Sequence, residues 1–275
     1  MHTANKPGHI WKLKQVLHAA VLDELEKDFV TAHIRYMPVK GSYLICTGLA
    51  EKMQRRTMND IDILVLPDDF EKAANYFRTL DKTEPRQQES WPFADAFYYR
   101  IGDQKIMIEL HCMINFPDRF LLPPELLMKR GIHTGGMRVH PCPEDALLIT
   151  ICHMLVHAYY IPDNAVYSEM KLIIEQGDFS WNRFWHRSKS TGIAPYIYYV
   201  LKLCNRRTGI PVEFSSQYLY ADLLLNLPDV RRIGKAVHGV RYVFIGLAFS
   251  RNPLRVIMRK TTKIFGSRFA PGNKS

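Results

Sequence analysis

Asp60 and Asp62 stand one residue apart in the apolar run "NDIDILVL". On a strand, residues i and i+2 share a face, so the two carboxylates project together while Ile61 and Ile63 point the other way. Such neighbours repel. A partly buried pair persists only where a proton is shared, a basic group neutralises it or a divalent cation binds between the two. A second β-rich run, "KIMIELHC", offers Glu109 and His111, again at i and i+2. If the two strands are neighbours, Glu109 completes a three-carboxylate cluster on one face of a sheet. Hard oxygen ligands that leave positions for water and phosphate suit Mg²⁺ or Mn²⁺. Two such ions roughly 4 Å apart would activate an attacking oxygen and hold an α-phosphate while pyrophosphate leaves.

Upstream, "VKGSYL" places Gly41 and Ser42 at a strand-to-helix junction. Backbone N–H groups, a hydroxyl and the positive end of a helix dipole at that junction suit a triphosphate tail. Lys40 and Arg56 supply positive charge nearby. Other readings stand beside these. A D-x-D pair is common in strands without chemistry, and Glu109 has Lys105 and Arg100 across a hairpin as alternative partners. His153 and His157 are spaced i, i+4 on one helical face, a metal-ligand spacing, but the Glu of H-E-x-x-H is missing. They serve either as cleft contacts, with His111, to phosphate or acceptor, or as core histidines. Tyr98, Tyr99, Tyr159, Tyr160, Trp181 and Trp185 read as packing residues.

The elements that must position these groups follow from periodicity. Leu13, Val16, Leu17, Ala20, Val21, Leu25 and Phe29 recur at three- and four-residue spacing, which predicts an amphipathic helix from Ile10 to about His33. A short strand over Tyr36 to Val39, the strand carrying Asp60, and a helix over Phe70 to Leu80 capped by Asp68 or Asp69 follow. "AFYYRI" and "KIMIELHC" flank Gly102-Asp103, a hairpin signal, and this pair is expected beside the Asp60 strand. A Pro- and Gly-containing connection from Asn115 to Pro141 holds one short helix around Pro124 to Lys129. From Pro143 onward the pattern is helical, over 164–176, 180–190, 193–208 and 215–226 as well. The expected division is an α+β domain over 1–135, a helical domain over 136–228 and a basic tail over 229–275, with the active site between the first two.

Composition bounds the function classes. With 275 residues, 47% hydrophobic and 23% charged, the chain is globular rather than disordered. Five scattered cysteines without a C-x-x-C pair indicate neither a disulfide framework nor a zinc knuckle. The N-terminal stretch lacks an apolar signal-peptide region and no run reaches the roughly 18 apolar residues of a spanning helix, so a cytoplasmic address is expected. The net charge of +10 is concentrated at one end: from Asp229 onward there are 11 Lys/Arg against one acidic residue. Leu254, Ile257, Met258, Ile264 and Phe265 fall on one face of that segment and Arg255, Arg259, Lys260 and Lys263 on the other. Such a helix fits a peripheral membrane contact, an acidic partner, or packing on the body. No recognised nucleic-acid-binding motif accompanies it, which disfavours nucleic acid as the acceptor.

A Gly-Ser turn, a helix, D-x-D on the next strand and a carboxylate on a later one resemble the DNA polymerase β-like nucleotidyltransferase superfamily. More narrowly, "VKGSYL", "RTMNDIDILV", "IELHCMI" and "CPEDALLITICHMLVHAYY", with "SWNRF" and "GIPVEF" behind them, resemble a bacterial nucleotidyltransferase family of largely uncharacterised members, over roughly residues 15 to 215. The run "SYLICT" departs from that family's small residues after Lys-Gly. The resemblance implies a palm-like mixed sheet and metal-dependent transfer of a nucleoside monophosphate from an NTP to a small-molecule or protein acceptor. Asp60, Asp62 and Glu109 would hold the metal, Glu109 doubling as a base. Lys40, Gly41, Ser42 and Arg56 would hold the phosphates. A catalytically silent nucleotide- or partner-binding protein of the same fold, including an antitoxin-like module, is the alternative.

Overall fold

The computed structural model describes residues 7–53, 58–86, 93–114, 120–156, 164–215, 217–219 and 221–222. The readings made for Arg56, His157, Tyr159, Tyr160 and the basic tail lie outside these residues. Of the described residues, those within Met1–Ile114, Leu122–Thr150 and Asp163–Ser180 form one compact unit, and those within Asn115–Leu121, Ile151–Pro162 and Trp181–Ser275 a second. The boundary expected near residue 135 falls inside the first unit. No helix among the described residues is long and apolar enough to cross a membrane.

The first unit is organised by a five-stranded mixed sheet: β1 (Tyr36–Pro38), β2 (Asp60–Val65), β3 (Thr83–Pro85), β4 (Ala94–Ile101) and β5 (Gln104–His111), in the order β1-β2-β5-β4-β3. The parallel pair is β2 with β5; the other neighbours are antiparallel. The hairpin expected at Gly102-Asp103 is present, with Ile101 opposite Gln104 and Gly102 at φ 55°, a conformation glycine adopts without strain. It lies beside the Asp60 strand, as the sequence predicts. β3 carries no strong strand pattern and was not expected.

Alternation along the strands gives the sheet two unlike faces. Ile61, Ile63, Val65, Phe97, Tyr99, Ile108 and Leu110 form the buried face. Two helices cover it: α1 (Pro7–Thr31) through Val21, Leu22, Leu25 and Phe29, and α3 (Pro67–Thr79) through Ala73, Ala74 and Phe77. Phe77 stacks on Phe97 at 4.9 Å between centroids, and Phe29 meets Tyr36 edge-on at 5.2 Å. The stripe expected on α1 is corrected, since Leu13, Val16 and Ala20 are exposed and the covering face begins nearer Leu17. The expected cap of α3 is corrected too. The helix starts at Pro67 after Leu66, with no side-chain cap, and Asp68 and Asp69 lie in its first turn where they meet the helix dipole.

Behind β1, α2 (Gly41–Cys46) and a 3₁₀ turn (Leu49–Lys52) lead towards β2. After α4 (Pro124–Arg130), a small ribbon of β6 (Ile132–His133) and β7 (Val139–His140) lies where only a connection was expected. Its turn is tied to α1: the Glu26 carboxylate accepts the N–H of Met137 at 3.0 Å. A Cβ at Gly136 would lie 1.8 Å from that carboxylate, so any side chain there would displace Glu26 from this contact.

Two helices extend from here, α5 (Pro143–Val156) and α6 (Asn164–Ile174). In the second unit, Trp185 of α7 (Trp181–Ser190) and Tyr198 of α8 (Ala194–Thr208) are buried and both meet the Phe214 ring, with the Trp185 indole donating to the Glu213 carbonyl at 2.5 Å. Gly209 closes α8 at φ 68° with its N–H on the Asn205 carbonyl.

Candidate active site

The second face of the sheet carries the polar residues. Strand register sets Asp60 beside Met107, Asp62 beside Glu109 and Leu64 beside His111 across the parallel β2–β5 pair. Ala94, Ala96 and Tyr98 of β4 continue the same rows, opposite His111, Glu109 and Met107. Ala94, Ala96, Tyr98, Met107, Glu109 and His111 are all half-buried, whereas Phe97, Tyr99, Ile108 and Leu110, on the opposite face, are buried. Parallel pairing is what brings two i, i+2 pairs from distant parts of the chain into one patch.

Ligand atoms of Asp62, Glu109 and His111 lie within 4.8 Å of one another. The His111 Nε2 atom is 3.1 Å from Asp62 Oδ1 and 3.6 Å from Glu109 Oε2. Asp60 shares the face but is not one of this close group, which His111, read from sequence as a cleft contact, joins. Glu109 does not pair with Lys105 or Arg100; both of those bind Glu84.

Lys40 approaches from the β1 side, its Nζ 2.5 Å from Asp62 Oδ1. The route is a tight turn in which the Ser42 N–H donates to the Val39 carbonyl at 3.1 Å. Lys40 occupies the first central position with φ 53° and ψ −128°, a type II′ geometry that normally selects glycine. That backbone costs on the order of 1–3 kcal/mol and persists because the surrounding structure fixes it. The Ser42 side chain is fully buried, its Oγ accepting the Asp62 N–H at 2.9 Å. The amides of Ser42 and Tyr43 both donate to Val39. The Ser42 N–H, expected to be free for phosphate at this junction, is therefore engaged within the turn, and its hydroxyl ties α2 to β2.

Burial and two cations set the charge states. Burial disfavours an ionised Asp62, but Lys40 and His111 outweigh it and hold that carboxyl well below the ordinary aspartate range. Burial and Lys40 push His111 down, yet its hydrogen bonds to Asp62 and Glu109 prevail and raise it. At Asp60 the charge of Lys40 is outweighed. Burial first, then the charges of Asp62 and Glu109, push it up to about 6.

The Pro-Glu-Asp start of α5 has structural partners. Asp145 is fully buried and receives a two-point bond from Arg130, Nε to Oδ2 at 2.8 Å and NH2 to Oδ1 at 2.9 Å. Glu144 accepts the Ser180 N–H at 2.8 Å, just before α7. His153 is half-buried on α5, in the second unit.

A mixed sheet with flanking helices, a D-x-D strand and a neighbouring carboxylate define a nucleotidyltransferase-type protein. Residues 10–209 match the family described as "Uncharacterised nucleotidyltransferase", and the chain belongs to that family. No curated protein and no solved structure matches the chain.

Proposed function

We propose that this protein transfers a nucleoside monophosphate from an NTP to a hydroxyl or phosphate acceptor, on a small molecule or a protein, releasing pyrophosphate. The observation that carries the reading is the gathering of Asp62, Glu109 and His111 within 4.8 Å on the less buried face of the sheet, with Asp60 in the next row. Two carboxylates and an imidazole fit a divalent ion; Mn²⁺ accepts this mixed set readily, and Mg²⁺ would rely on the oxygens. Asp62, Glu109 and His111 would hold the ion, which when bound polarises the α-phosphate and offsets charge on the leaving pyrophosphate. Asp60, raised to about 6 by burial and its acidic neighbours, is suited to take the proton of the attacking hydroxyl near neutral pH. Lys40 exchanges its contact with Asp62 for a phosphate oxygen of the NTP and neutralises charge there.

A second reading has one observation in its favour. The buried Ser42 hydroxyl and the engaged amides of the α2 turn leave less to hold a triphosphate than the turn motif suggests. A catalytically silent nucleotide- or partner-binding protein, including an antitoxin-like module, accounts for that. The test is pyrophosphate release and label transfer from α-labelled NTPs with Mg²⁺ or Mn²⁺. Transfer is expected, and its survival in the Asp60→Ala, Asp62→Ala double variant would overturn the first reading. Nucleotide-dependent thermal stabilisation without any product selects the second.

A further inference from the structure

Arg86, immediately after β3, plays no part in the sequence-based reading, yet register brings it to the carboxylate face. Glu84 sits opposite Tyr98, and the Arg86 N–H donates to the Ala96 carbonyl at 2.8 Å, which continues the ladder by one step. Arg86 therefore shares the face of Glu84, Tyr98 and Ala96. Its row across the sheet runs Asp62, Glu109, Ala96, Arg86. The alanine between is small enough for the side chain to fold back over β4, and NH1 ends 3.1 Å from the Met107 sulfur. Met107 registers with Asp60. A thioether is a weak acceptor for a guanidinium that offers five donors in a planar fork. The nearby acid on β3, Glu84, is held by Arg100 and Lys105 instead.

Two cations thus bracket the carboxylates, Lys40 on the β1 side and Arg86 on the β3 side. Nucleotidyl transfer sets the attacking and leaving oxygens on opposite sides of the α-phosphorus. With the triphosphate tail at Lys40, the acceptor comes from the β4–β3 side. We propose that Arg86 binds the acceptor, and that the acceptor carries a phosphate group close to the hydroxyl that attacks. The guanidinium fork fits two oxygens of such a group and fixes the hydroxyl over Asp60. This rests on the transferase reading above for its direction, but the anion site itself does not depend on turnover.

The test uses full-length protein labelled with ¹³C-methyl methionine, the Met107 resonance assigned with Met107→Leu. Methyl phosphate is expected to shift the Met107 methyl saturably. Arg86→Gln should weaken that response at least tenfold, Arg86→Lys less, and Arg78→Gln, a surface control, not at all. A Met107 methyl that does not respond to methyl phosphate, or responds equally in Arg86→Gln, overturns the proposal. Acetate serves as the second arm, and a stronger response to acetate than to methyl phosphate replaces phosphate by carboxylate and also overturns it. Displacement of methyl phosphate by a non-hydrolysable ATP analogue would assign Arg86 to the triphosphate and overturn the acceptor role. Mn²⁺ is tested separately. Failure of Mn²⁺ to broaden Met107 counts against the metal site while the phosphate response still decides the role of Arg86.

Discussion

At the scale of single residues, the contrast between Asp60 and Asp62 organises the site. They are two positions apart on one strand, but Asp62 has Lys40 and His111 on its carboxylate and Asp60 has neither. Two acids of the same type are thereby driven apart, one held ionised and one poised near neutrality, an arrangement suited to separate roles in acid–base chemistry. The raised Asp60 also makes a stability statement. Because its folded pKa of about 6 exceeds the ordinary 3.8, the folded state binds the extra proton, and stability is lost as pH rises through about 6. In the absence of metal, Asp60→Asn should therefore be more stable than the parent at pH 8 by about 2–3 kcal/mol, with the gain vanishing near pH 4. Denaturant melts at the two pH values measure this, and under the transferase reading the same variant loses transfer. Equal stability of the two proteins at pH 8 would contradict the assigned burial of the carboxyl.

At the scale of elements, the informative features are those that hold α2 against β2 and α4 against α5. Ser42 and the strained Lys40 turn fix the first junction, and the Arg130–Asp145 pair fixes the second. A buried ion pair adds little over a well-packed apolar pair, but removing one partner leaves the other charge without compensation. Asp145→Ala should cost on the order of 3 kcal/mol, and Arg130→Met introduced with it should restore part of the loss. A double-mutant cycle by urea unfolding reads the coupling, and strictly additive effects would show that the pair is not coupled. The helices and the hairpin were legible in the sequence because amphipathic spacing and a short glycine-containing turn are local properties. β3 and the β6–β7 ribbon were not, since strands of two or three residues carry too little alternation to stand out and are stabilised by their neighbours.

At the scale of the molecule, two groups shifted by burial titrate in the same window with opposite sign. His18 is almost fully buried on α1, its Nδ1 without a hydrogen-bond partner, and burial, then Lys14, lower it to about 4. Its neutral form is the one the fold accommodates, so stability is full above pH 6.5 and falls as pH drops through about 4, by up to about 3 kcal/mol. Asp60 acts the other way over nearly the same range, and the two partly cancel in the parent. His18→Phe should therefore be more stable than the parent at pH 4 and about equal at pH 7.5. Thermal melts across that range check it, and a parallel pH dependence in both proteins would contradict it. The sequence by itself determined the helices, the hairpin, the D-x-D strand and the candidate carboxylates, because residue type and spacing of two or four positions act within one element. Only the tertiary structure decided that β2 and β5 run parallel in the register that puts Glu109 beside Asp62, that His111 joins them, and that Lys40 and Arg86 reach the same face from opposite sides. Those facts depend on strand order and register, which are set by how the apolar faces of distant segments bury one another, and no local spacing encodes them.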